Sequence, residues 1–339
     1  MAVHALTEAP MRIVFIGATR FGLRCLDAVR SMPEVEIAGV VTAPARFPIS
    51  YRPEGVTNVL YADFEDYSRA NSIPCAVIEN GMRGDTLRKQ ATGWGPDIFL
   101  VAGWYHMIPK RWRAIAPAFG MHASLLPDYS GGAPLVWAMI EGEEKTGITL
   151  FQLGDGVDDG PILGQAETRI LPEDDIGTLY ARIEDLGIAL LRRHLPELAA
   201  GTAKLIAQDE SRRRIVPQRG PEDGLIDWNQ PAKRVHDFIR AQTRPYPGAF
   251  TDIFGGKTTI WKSRLSDEPS PGHGKPGGSA GRPLIGCGDG RAIELLSIAV
   301  DGDDVPIAAW MARQSGWRSP VMPAQAGIEE SERTRPSRG

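Results

Sequence analysis

The chain carries only three cysteines in 339 residues, Cys25, Cys75 and Cys287, and they form no CxxC pair. That spacing excludes a disulfide framework and a cysteine zinc site, and it reads as buried, inert thiols in a reducing compartment. No stretch approaches the ~18 consecutive apolar residues that a membrane helix needs. The opening MAVHALTEAPMRIVFIGATR lacks a basic region followed by a long apolar run, so no signal peptide is read there and a cytoplasmic location is expected. Met11 stands immediately before the first strand pattern and is a candidate for the true start. Positive charge is not in excess either. The formal net charge is -4 and the pI is near 5.9, so no global field recruits nucleic acid.

What is present is ordinary for a soluble globular protein, with 42% hydrophobic and 24% charged residues, and the length suits two domains. Residues 12–17 (RIVFIG) form a short apolar run ending in glycine, as a buried parallel strand does. A helical pattern through Leu23, Leu26 and Val29 follows, closing near Pro33, and EIAGVVT (36–42) reads as the next strand. This is a β-α-β unit of a doubly wound sheet. Further strands are expected at PDIFLVAGW (96–104) and GMHASLLP (120–127), and a helix over 174–195 opens on aspartates suited to an N-cap. The loop GATRFG (17–22) lacks full GxGxxG spacing and reads as a tight strand-to-helix turn.

From about Ser211 the texture changes. Short β-rich pieces at 248–254, 257–263 and 292–300, with one intervening helix, point to a small barrel. The Gly/Pro-rich stretch 266–283 is expected to lack order, as is the end of the chain. The expected organisation is a Rossmann-like domain over 11–205, a small OB-like β-barrel domain over 213–305, and a disordered tail over 306–339, dispensable for activity and stability from 317 to 339. Glu141 to Glu144 reads as a solvated helix end.

The densest block of chemistry-bearing residues runs from 120 to 162. It contains HxSLLP (His122, Ser124, Leu125, Leu126, Pro127), GxxP (Gly131, Pro134), TGIT (146–149) and GxDxG (Gly156, Asp158, Gly160). In this order and spacing the chain resembles the folate-dependent formyltransferase family from Arg12 to about Ile260. The resemblance implies a formyl transfer from 10-formyltetrahydrofolate to an amine, without a metal, through His122 and Asp158. In such a reaction an amine attacks the formyl carbon, leaving an oxyanion that needs a hydrogen-bond donor and an amine proton that needs an acceptor. Imidazole suits the first task and a carboxylate the second. Ser124, Leu125 and Pro127 are expected at the substrate. The loop with Gly103, Trp104, Tyr105, His106 and Ile108 is expected as the wall of the folate pocket, against the alternative of strand-end packing.

One position departs from the family pattern. Where the family has an asparagine belonging to a catalytic trio, this chain has Gly120. Losing one oxyanion donor typically costs about 10² to 10³ in rate. Tyr105 or His106 could fill the gap, substrate or water could supply the contact, or the protein could bind formyl-folate without efficient turnover. An altered but working site is the favoured reading.

PEDGLIDW (221–228), FIRA (238–241) and PYPGAFT (245–251) resemble the second domain shared by methionyl-tRNA and aminoarabinose formyltransferases. Family members that act on tRNA carry a basic insertion after the second strand. The matching segment here, 43–71, has Arg46, Arg52 and Arg69 but also Glu54, Asp63, Glu65 and Asp66. RNA phosphates require local positive charge, so a nucleotide-linked amino sugar ranks ahead of methionyl-tRNA as the acceptor. Arg240 and Arg244 are candidates for its diphosphate. A formyl-folate hydrolase and a non-catalytic folate-binding protein remain the alternatives.

Overall fold

A computed structural model describes residues 9–49, 52–79, 81–254, 256–278 and 282–313. The N-terminal part is built on β1 (Met11–Ile16), α1 (Arg20–Arg30), β2 (Val35–Thr42), a hairpin of β3 (Arg46–Ile49) and β4 (Arg52–Thr57), α2 (Phe64–Ala70) and β5 (Cys75–Val77). It continues through α3 (Asp85–Gly93), β6 (Ile98–Val101), α4 (Lys110–Arg113), β7 (Ala118–His122), β8 (Ser130–Gly131) and α5 (Pro134–Glu141). Then come β9 (Lys145–Gln152), β10 (Ile162–Arg169) and the long α6 (Ile176–Ala199).

Seven strands form one sheet in the order β10-β9-β7-β6-β1-β2-β5. The five from β5 to β7 are parallel, and β9 and β10 add on antiparallel. Both faces of the parallel strands are covered, so their residues are apolar without alternation. Ile13, Phe15 and Leu100 face a core closed by α1, α5 and α6, whereas Val14, Ile16, Phe99 and Val101 face a second core containing Trp112. The strand order reverses between β1 and β6, and ligand crevices of open α/β sheets form outside the carboxyl ends of the strands at such a point. GATRFG and the loop after β6 meet there. A Cβ at Gly17 or Gly22 would strike the Ala102 carbonyl, so these glycines allow close packing. Thr19 Oγ1 caps α1 through the Gly22 N–H, and the Arg20 N–H donates to the Leu60 carbonyl. The turn is thus closed by protein partners, as its reading as a tight turn expects.

The long α6 begins at Asp175, whose side chain accepts from the Thr178 N–H while the Thr178 hydroxyl accepts from the Asp175 N–H, a reciprocal capping box. The segment after α6 includes β11 (Ile215–Val216) and leads to α7 (Ala232–Gln242), β12 (Ala249–Thr251), β13 (Thr258–Ser266), β14 (Pro276–Gly277), β15 (Leu284–Gly286), β16 (Ala292–Val300), β17 (Asp303–Val305) and α8 (Ile307–Met311). The second sheet runs β12-β13-β16-β15-β14, with β17 on β16, and a core of Ile239, Ile260, Ile293 and Trp228 joins α7 to it.

Several expectations change here. The strand expected over 120–127 ends at His122, and the residues after it turn back as a loop. Within the Gly/Pro-rich stretch the described residues are ordered: β14 pairs with β15, and Arg282 binds Glu268 and Glu294. Residues 306–313 are not tail-like, because α8 places Trp310 at 4% exposure, edge-on to Phe254. The rest of the expected tail lies outside the described residues. Arg240 is not available for a diphosphate, since it bonds Asp237 and the Leu171 and Asp174 carbonyls between the two units. Arg244 pairs with Asp304 and lies over the Trp261 ring. Cys25 and Cys287 are buried, and burial pushes the Cys287 thiol up to about 12, which keeps it protonated and unreactive.

Candidate active site

Residues 118, 120 and 122 share one face of β7, because side chains alternate along a strand. His122 ends that strand, opposite Thr149 of β9, and is 9% exposed. Its Nε2 lies 2.7 Å from the Tyr129 carbonyl oxygen. A carbonyl only accepts, so Nε2 carries a proton. The other ring nitrogen, Nδ1, lies 3.5 Å from Asp158 Oδ2, a close pair that is longer than a charge-assisted hydrogen bond.

The residues after His122 build the loop that aims the Tyr129 carbonyl. The Ser124 hydroxyl donates to the Asp128 carbonyl at 2.7 Å, and the Thr149 hydroxyl donates to the Ser124 carbonyl at 2.7 Å. Ser124 is 1% exposed. Its expected place at the substrate is therefore corrected to an internal tie. Leu125 packs over Gly147, where a Cβ would come within 2.5 Å of Leu125 Cδ2. The Pro127 carbonyl accepts from the Ser130 hydroxyl and from the Arg214 N–H. Tyr129 has φ +54, an uncommon backbone conformation for a bulky side chain.

Asp158 arrives from the turn after β9, also with a left-handed backbone, φ +52. Its Oδ2 accepts from the Gly131 N–H at 2.9 Å. Gln208 Nε2 donates to the Asp158 and Gly160 carbonyls, both at 2.7 Å. The acidic stretch at the end of α5 is not simply solvated, since Glu141 and Glu143 each lie 2.8 Å from the Tyr129 hydroxyl and share its one proton, and both pair with Arg214.

At Gly120 neither expected substitute fills the gap. A Cβ there meets Leu153 Cδ2 at 2.8 Å, so Leu153 covers the place of the family's asparagine. The Tyr105 hydroxyl instead donates to Asn58 Oδ1 at 3.0 Å, while the His106 ring packs 5.2 Å from Phe47 and 5.5 Å from Trp104. Burial lowers the His106 pKa. Ile108 is a core residue at 6% exposure. Gly103 takes φ +62, and a Cβ there would collide with Thr19 Oγ1. The loop thus joins packing on one side with an aromatic wall on the other. Trp104 Nε1 and His106 Nε2 are buried without a hydrogen-bond partner among the described residues. Such unsatisfied polar atoms beside aromatic faces fit a flat heterocycle with polar edges. No cluster of three or more His, Cys, Asp or Glu side chains among the described residues is placed to hold a metal.

Sequence reasoning missed Leu153, Gln208, Arg213 and Arg214, whose residue types carry no motif. It also missed that Phe47 of the β3–β4 hairpin packs against Tyr105 and His106.

A doubly wound domain that sets a buried His122 beside a half-buried Asp158 at the crevice end of its sheet, followed by a β domain, frames a two-domain enzyme. The chain belongs to the formyl transferase family: residues 11–195 match its formyl transferase domain, and residues 219–315 match the formyl transferase C-terminal domain. It is a formyltransferase. Methionyl-tRNA formyltransferase of Koribacter versatilis is 34% identical over 298 residues, covering 86% of this chain and 92% of that protein. The fold resembles that of the N-formyltransferase from Helicobacter canadensis, solved with folinic acid and dTDP-3-aminofucose, with TM-score 0.63 and 18% identity over 84% of this chain and 98% of that one. HypX from Aquifex aeolicus, solved with tetrahydrofolic acid, matches with TM-score 0.61 and 17% identity over 96% of this chain and 51% of that one.

Proposed function

We propose that this enzyme transfers the formyl group of 10-formyltetrahydrofolate to the primary amine of a small molecule, a nucleotide-linked amino sugar first among them. The observation that carries the reading is the meeting of His122, at the end of β7, with Asp158, from the turn after β9, at 3.5 Å inside the matched formyl transferase domain. Tyr129 holds Nε2, so Nδ1 is the ring position left for chemistry. Carrying its second proton and balanced by Asp158, the ring presents an Nδ1–H to the formyl oxygen as charge develops there. Asp158 receives the proton that the attacking amine sheds, and as the tetrahedral intermediate collapses a proton passes to the folate nitrogen whose bond to the formyl carbon breaks, so that tetrahydrofolate leaves neutral at that atom. The donor supplies the activated formyl carbon, and Trp104, Tyr105 and His106 would hold its ring system. Leu153 in place of a polar side chain leaves His122 as the principal donor and keeps that side of the pocket dry.

Charge supports the small-molecule acceptor. Asp63 caps α2, Glu65 and Asp66 occupy its first turn, and Arg69 is paired with Asp66 at 3.0 Å. This is a poor surface for RNA phosphates. A second reading, methionyl-tRNA as acceptor, is favoured by relatives of that name that align over 86% of the chain. The test is tetrahydrofolate release from the donor with a panel of nucleotide amino sugars and with methionyl-tRNA. Release that depends on an amino sugar is expected. Faster turnover with methionyl-tRNA overturns the acceptor, and amine-independent release of formate replaces transfer by hydrolysis.

A further inference from the structure

We propose that residues 208–216, the segment leading from the first domain to the second, form a positioning strap that holds His122 and Asp158 in register. The proposal rests on the reading that this pair performs the transfer. The segment grips both loops. On the Asp158 side, Gln208 Nε2 donates to the Asp158 and Gly160 carbonyls, each at 2.7 Å, and Arg213 donates to the Val157 carbonyl. On the His122 side, β11 pairs in parallel with β8: the Ser130 N–H donates to the Arg214 carbonyl at 2.9 Å and the Gly132 N–H to the Val216 carbonyl at 3.0 Å. The Arg214 guanidinium lies 3.8 Å over the Tyr129 ring and bonds Asp128 at 2.9 Å and Glu141 at 2.7 Å. Tyr129 is the residue whose carbonyl holds His122 Nε2.

Two independent features show that the grip is specific. Tyr129 and Asp158 are both non-glycine residues at positive φ, a conformation that persists only where the surroundings over-determine it. The strap supplies those surroundings for both. Gln208 is also turned for the loop and not for its own satisfaction. Both carbonyls take its amide nitrogen, while its Oε1 is buried without a partner among the described residues.

Gln208→Met in the full chain keeps the shape and removes both N–H donors. The expected result is a fall in kcat on the order of 10-fold to 100-fold, the effect of small misplacements in a reacting pair, with KM for the formyl donor within about twofold. The His122 ring nitrogen resonances, assigned against His122→Gln, are expected to move, and a purely structural role for Gln208 would not move them. Arg214→Lys, which keeps the charge but loses the planar fork, is expected to move the same resonances by less and serves if Gln208→Met does not fold. Unchanged resonances and kcat in the folded variant overturn the strap. If the wild-type protein transfers formyl to no amine, the formyl-transfer reading fails, and the ring resonances alone still decide for or against the strap.

Discussion

Gly120→Asn places the family's asparagine back in its position, and the structure sets the outcome. The new Cβ lands 2.8 Å from Leu153 Cδ2 and 3.5 Å from its Cγ. Gly120 lies in the regular ladder of β7 between Val101 and Phe151 and is not among the residues at positive φ, so backbone strain plays no part. The clash must be relieved by Leu153. Its end is flexible and half-buried, so relief costs about 1 kcal/mol, the low end of overpacking. The displaced side chain moves within the group that packs beside Trp104. Turnover therefore falls, by about fivefold for each kcal/mol transmitted to the site, and the urea midpoint falls with it. Leu153→Ala removes the overlap, so in the double variant the two changes couple favourably by about 1 kcal/mol. If the amide then reaches the formyl oxygen, the double variant gains up to the ~10²–10³ of a restored donor. The assay is tetrahydrofolate release alongside urea unfolding of all four proteins. A single Gly120→Asn variant that turns over faster with unchanged stability would refute the reasoning, because it would mean that Leu153 does not occupy the slot.

His122→Ala is expected to lose about 10² to 10⁴ in kcat while formyl-folate still binds, and Asp158→Asn to lose a similar amount. A double variant no worse than either single, read by the same release assay, marks one coupled unit. Trp310→Ala is expected to destabilise the second domain by about 3–5 kcal/mol, since that ring is 4% exposed and 4.5 Å from Phe254; an unchanged urea midpoint would place α8 outside the core. Burial pushes the Glu294 carboxyl up, but hydrogen bonds from Arg282 and Arg264 outweigh it and leave the pKa lowered. Its stabilisation is then fully present above the unfolded value of about 4.3 and is lost as pH falls through the folded value. Glu294→Gln should cost about 1–3 kcal/mol at neutral pH and flatten the acid limb of stability against pH; an equally steep limb in the variant would assign acid sensitivity elsewhere.

Much of the frame was legible along the chain because it is local. The apolar runs at β1, β2 and β6 and the capped start of α6 each state their structure within a few residues. Misreadings fall where a distant partner intervenes. The end of β7 was placed too late because the Ser124 and Thr149 hydroxyls, not hydropathy, turn the chain after His122. Order in the described residues of 266–283 was invisible because it depends on pairing between strands, with Arg282 anchored on Glu294 of β16. Glu141 and Glu143 read as solvent-facing because nothing local announces Arg214.

By itself the sequence determined the family, the doubly wound first domain and the pair to watch, His122 and Asp158. Those properties lie in residue type and short spacing, which survive without coordinates. Only the tertiary structure decided that Leu153 covers Gly120, that Arg240 is taken up between the domains, and that the 208–216 segment grips both loops of the site. Each depends on which backbone donors and side-chain volumes are brought within a few ångströms by strand pairing, and no local pattern encodes that proximity.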